Sequence, residues 1–102
     1  MECTEEVTDV TEMDKLDKLL TASGIEHTYD RNFQGGTRIA VFEHGRPVLD
    51  AICTPYSYGG RYGLLEVMLE NLPLEILFKV QGWISADQVM KMASPYLSIR
   101  KN

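Results

Sequence analysis

Between Thr54 and Gly63 the chain reads TPYSYGGRYG, and this segment holds three of the five tyrosines and three of the eight glycines of a 102-residue protein. Glycines let a backbone approach a ligand closely and expose its N–H groups, and tyrosines offer flat stacking faces with a polar tip. Arg61 adds a planar cation suited to phosphate or carboxylate. The chemistry implied is capture of a planar, anionic molecule: Tyr56, Tyr58 and Tyr62 stack, while Arg61 and the Gly59 and Gly60 amides hold the charge. No GxGxxG fingerprint and no P-loop Lys-Ser/Thr accompanies it, so a plain turn with tyrosines at the edge of the core is the competing reading.

Other reactive groups are sparse. His27 and His44 lack the neighbouring Cys or carboxylate spacing of a zinc or iron site, so no metal and no cofactor is expected. Cys3 and Cys53 could form a single pair, but an acidic cytosolic-type chain with two cysteines reads as two reduced thiols. A Cys53, His44, Asp50 nucleophile arrangement would need all three on one face of a hairpin, and the hairpin register expected below separates them. A small enzyme is therefore the weakest of three functional readings.

The element that must position the loop is a hairpin. Two apolar runs, Thr37–Glu43 and Pro47–Thr54, flank His44-Gly45, a two-residue turn in which both positions tolerate positive φ. That register sets Glu43 opposite Arg46, Val41 opposite Val48 and Ile39 opposite Asp50. It leaves both faces mostly apolar, so one face is expected to pack on helices and the other on a further layer or a second copy in a homodimer. Asp50, on an apolar face, needs a donor; Arg38 falls on the opposite face unless the strand bulges, which leaves Tyr29 or Trp83.

Upstream, residues 1–8 read as a flexible acidic arm. Val10, Met13, Leu16, Leu19 and Leu20 recur at helical spacing, predicting a helix over about residues 10–23 that stops at Gly24. Ile25–Asp30 alternates as a short strand, with Asn32 to Gly36 as the turn that follows. Downstream, Leu64, Leu65, Met68, Leu69 and Leu72 share a helical face, predicting a helix over Gly63–Asn71 whose N-terminus would aim donors at the Gly-Gly-Arg loop. Leu74–Ile84 reads as a further strand, and Ser85 with Gln88 forms a capping box opening a last helix that Ser94-Pro95 ends. The expectation is one α+β domain over residues 9–102: a small antiparallel sheet of about four strands, in a meander, with two or three helices packed on it.

Charge narrows the partners. Residues 1–30 hold nine carboxylates against Lys15 and Lys18, and the whole chain is at −5. Such a surface repels phosphate, which disfavours direct nucleic-acid binding. No apolar run is long enough to span a bilayer and the N-terminus is acidic, so a cytoplasmic protein without a membrane partner is expected. The acidic helix is a solvated face or, alternatively, a nucleic-acid mimic in which Glu12, Asp14 and Asp17 occupy a basic groove.

The blocks PVLDAICTPYSYGGRYGLLEVM and VQGWISADQVMKM resemble those of small uncharacterised proteins encoded by phages and prophages of gut Firmicutes, over about residues 47–92. That family carries no assigned catalytic residues. The resemblance implies an anti-defence protein in the host cytoplasm that sequesters a nucleotide signal through the Tyr/Gly/Arg loop. The alternative it implies is an inhibitor of a bacterial defence nuclease, acting through the acidic helix as anti-CRISPR proteins do.

Overall fold

The computed structural model describes residues 9–70 and 80–94. It is an α+β domain: helix α1 (Thr11–Ala22), strands β1 (His27–Phe33), β2 (Gly36–Glu43), β3 (Arg46–Cys53), β4 (Leu65–Leu69) and β5 (Val80–Ile84), and helix α2 (Ala86–Ala93). The strands form one five-stranded antiparallel sheet in the order β1-β2-β3-β4-β5, so each strand pairs with its sequence neighbour. The N-terminal arm with Cys3, the first half of the Leu74–Ile84 strand and the tail after Ser94 lie outside the described residues.

Both tight turns follow from the two residues at their tips. Gln34 and Gly35 stand at φ 50° and 81°, and His44 and Gly45 at 52° and 78°. Two successive positive φ values give the turn whose twist matches paired strands. The β1–β2 turn is therefore shorter than the five residues predicted, and Asn32 and Phe33 belong to the strand.

The hairpin register departs from expectation beyond its first pair. Glu43 faces Arg46, but Val41 faces Leu49 and Ile39 faces Ala51, with a bulge between Val41 and Phe42. Pro47 sits opposite Phe42 and has no N–H to give, so the ladder breaks there and the next residue is absorbed. A shift of one residue exchanges the two faces of a strand. Ile39, Val41, Leu49, Ala51 and Cys53 thus share one buried face with Leu65, Val67 and Leu69. Met13, Leu16 and Leu20 of α1 and Ala86, Val89 and Ala93 of α2 complete that core. The opposite face carries Arg38, Ala40, Asp50, Ile52 and Met68, and there Arg38 Nε donates to Asp50 at 2.8 Å. The donor for Asp50 is Arg38, reached through the bulge, and neither Tyr29 nor Trp83.

The predicted helix over Gly63–Asn71 is strand β4. Its spacing is ambiguous: Leu65, Val67 and Leu69 alternate as readily as Leu64, Leu65, Met68 and Leu69 fit a helix. Neighbours on both sides decide, because β3 and β5 supply backbone partners along both edges of the segment. The predicted helix, whose N-terminus was to face the Gly-Gly-Arg loop, is therefore not formed.

Polar contacts tie the two helices to each other and α1 to the sheet. Ser85 and Gln88 form the capping box of α2, and Glu12 Oε1 accepts from the Ala86 amide at 2.8 Å at the same helix start. Lys15 pairs with Asp87 at 2.7 Å. On the β1 side, His27 Nε2 contacts Asp17 at 2.7 Å and its Nδ1 contacts the Ile25 carbonyl at 2.8 Å. The Tyr29 hydroxyl donates to Asp14 Oδ1 at 2.7 Å, and Arg31 reaches the same oxygen at 3.1 Å.

The Tyr29 hydrogen bond, followed by the Arg31 charge, holds the Asp14 carboxyl below the usual carboxylate range. Burial, then the bond to Asp14, pushes the Tyr29 hydroxyl well above the usual phenol range. A depressed carboxyl favours the folded state above its unfolded pKa, and that contribution is lost as pH falls through the folded value. Tyr29→Phe is therefore expected to cost about 1 kcal/mol at neutral pH in urea unfolding. It should cost less at acidic pH, with the Asp14 carboxyl returning toward its ordinary value by NMR titration; an unchanged Asp14 titration would contradict this account.

Candidate functional site

Residues 54–64 leave β3 and return to β4 through two tight turns. Thr54 is buried and organises the first: its amide donates to Ser57 Oγ at 2.8 Å, its Oγ1 accepts from the Tyr56 amide at 3.1 Å, and its carbonyl accepts from the Ser57 hydroxyl at 3.0 Å. A 3-10 turn over Gly60–Tyr62 follows, flanked by Gly59 and Gly63 at φ 91° and 75°, conformations that disfavour a side chain. The Gly60 amide donates to the Ser57 carbonyl, and the Gly59 carbonyl accepts from both Tyr62 and Leu64. The Tyr58 amide donates to Glu66 Oε1 at 2.8 Å. The Gly60 amide, expected to hold an anion, is thus occupied within the loop. Arg61 Nε donates to the Pro55 carbonyl at 3.2 Å.

The loop is clamped on β5. Trp83 N–H donates to the Tyr58 carbonyl at 3.1 Å. A Cβ on Gly59 would stand 2.9 Å from Trp83 Cα, one on Gly60 2.0 Å from the Thr54 oxygen, and one on Gly82 2.3 Å from Tyr58 Cβ. Contacts this short exclude any side chain, so these glycines serve backbone packing. Trp83 itself has φ 61°, an outlier for a bulky residue that persists only where the surroundings over-determine it.

The result is a display of aromatic rings on a hydrogen-bonded backbone. Tyr56, Tyr58, Tyr62 and Trp83 are 83, 63, 71 and 57 % exposed. Tyr62 and Trp83 stand 5.4 Å apart between centroids, tilted by 31°. These are large apolar rings held in water by a hydrogen-bonded backbone. Trp83 was missed in the sequence, where it lies 21 residues beyond Tyr62; the signal was the glycine before it, since an isolated Gly in a strand pattern marks a close backbone approach.

Comparison with protein-family models, with curated proteins and with solved structures finds no match.

The remaining candidates are dispersed. Glu12, Asp14 and Asp17 each accept a hydrogen bond from within the domain, from Ala86, from Tyr29 and Arg31, and from His27 respectively. Cys53 is buried on the helix-covered face, where burial pushes its thiol up to about 11 and Sγ lies 3.5 Å from the Gly60 carbonyl. Asp50 is on the other face and His44 is exposed at the hairpin tip, so the three do not meet. Among the described residues no cluster of three His, Cys, Asp or Glu side chains could hold a metal, and no helix is long and apolar enough to cross a membrane.

The loop architecture makes opposite demands on neighbouring positions. Gly60→Ala should destabilise by about 3 kcal/mol through overpacking against Thr54, whereas Tyr56→Ala should stay within about 0.5 kcal/mol. Denaturant midpoints of the two variants check this, and equal effects would mean that the loop is not pinned as described.

Proposed function

We propose that this is a non-enzymatic binding protein that docks another protein on the rings of Tyr58, Tyr62 and Trp83, with Tyr56 at the margin. The observation that carries the reading is the exposure of these rings on a segment whose backbone is fastened by its own hydrogen bonds and by β5. Tyr and Trp dominate binding energy at protein interfaces, and a pre-ordered loop loses little entropy on association. The resemblance to phage and prophage proteins supports a bacterial defence protein as the partner class.

A second reading is supported by the exposed Tyr62–Trp83 pair and the guanidinium of Arg61, next to Tyr62 in the chain: aromatic surface with a nearby cation suits a planar anion such as a cyclic nucleotide.

The first reading is tested by affinity capture from a bacterial host lysate with quantitative mass spectrometry, followed by affinity measurement on the purified partner. Trp83→Ala and Tyr62→Ala are each expected to weaken that complex by about ten-fold or more with little change in melting temperature, while Lys18→Ala leaves it intact. Wild-type affinity in both aromatic variants would reject the surface. Calorimetric titration with cyclic nucleotides separates the second reading: saturable heat that disappears in Trp83→Ala and in Arg61→Ala supports it, and no heat from any of them rejects it.

A further inference from the structure

We infer that the cleft between β5 and α2 is a second part of the same docking surface, taking an apolar side chain presented next to a carboxylate on an extended peptide segment of the partner. This rests on the reading of the aromatic rings as a protein-binding surface. The cleft measures about 390 Å³, and the described residues that line it are Gln81, Ile84, Gln88, Lys91 and Met92. That volume is at the small end of ligand sites and suits one or two residues of a peptide.

The lining divides into an apolar part and a donor-rich rim. Ile84, which closes β5 and belongs to the core, and half-buried Met92 on α2 provide aliphatic surface. Gln88 Oε1 is already engaged, accepting from the Ser85 amide at 2.8 Å in the capping box. Its amide orientation is thereby fixed, and the group it offers the cleft is the Nε2 donor. Lys91 follows one turn later on α2 and has no carboxylate partner among the described residues, unlike Lys15, which is held by Asp87. Two donors beside an aliphatic floor call for an acceptor carrying negative charge, and a carboxylate satisfies both. In a chain at −5 the requirement is local, since the overall field opposes anions.

Continuity with the aromatic surface selects a peptide as occupant. Gln81 and Ile84 lie on either side of Gly82-Trp83 in β5, so cleft and indole are carried by one strand. Four strand residues cover roughly 10 Å, a span that an extended peptide of similar length bridges. A partner segment can therefore lay one side chain on Trp83 and place the next apolar–acidic pair in the cleft.

The test uses two small probes, N-acetyl-leucyl-glutamate amide and its neutral isostere N-acetyl-leucyl-glutamine amide, titrated into the full chain with NMR observation of the Ile84 and Met92 methyls and the Gln88 side-chain amide. The acidic probe is expected to shift these signals saturably and to bind about three-fold or more tightly than the neutral one, with the difference abolished by Lys91→Ala and reduced by salt. Too short to reach both parts of the surface, it should bind Trp83→Ala as it binds the wild type. Failure of the cleft is thus read apart from failure of the aromatic surface, which shows only in partner capture. No saturable shift, equal affinity for both probes, an unaltered preference in Lys91→Ala, or loss of binding in Trp83→Ala would each overturn the inference. Saturation of the same signals by octanoate but not by the dipeptide would assign the cleft to a small amphiphile and overturn it as well.

Discussion

The architecture of the exposed aromatic surface depends on a backbone-to-backbone contact between the loop after β3 and the last strand. Where loop and strand meet, at Gly59 and Gly82, there is no space for even a methyl group, and Gly60 is equally closed against Thr54 within the loop. The chain thereby gives up side-chain packing at three places and gains a close approach that turns an irregular segment into a platform. Rings that would otherwise sample many orientations are carried on a frame joined to the sheet by the Trp83–Tyr58 hydrogen bond. The unusual φ of Trp83 belongs to the same arrangement, because the fixed loop dictates the path of the strand beneath it.

Much of the fold was legible from local chemistry, and the misreadings share a cause. His44-Gly45 and Ser85 with Gln88 are short-range signals whose geometry is completed within a few residues, and both stand as read. The register of the hairpin was not, because the disturbance comes from Pro47 acting across the ladder on Phe42. Residues 65–69 satisfy helical and strand periodicities at once, and only the flanking strands choose between them. At the candidate site, the tyrosines and Arg61 were visible as composition. Trp83 was invisible as a site residue because its place is set by topology, β5 being the neighbour of β4 at the end of the meander.

The acidic N-terminal third shows how charge can mislead when partners are distant in sequence. Read along the helix, Glu12, Asp14 and Asp17 form a solvated or partner-seeking face. In the folded chain each meets a different donor, on α2, β1 or the residue that opens β1, and together they join the helix to both edges of the domain. Carboxylates in such roles act through directed hydrogen bonds with donors of their own, so their effect does not scale with net charge. The same holds for Asp50, whose apparently isolated position on an apolar strand is resolved by one bulge and one arginine.

Trp83 is the chain's only tryptophan, and it stands largely in solvent beside Tyr62 in the aromatic platform. Its indole emission is consequently an optical reporter built into the protein: any molecule that covers the platform must dehydrate that ring, and the colour of the fluorescence will follow occupancy without a label.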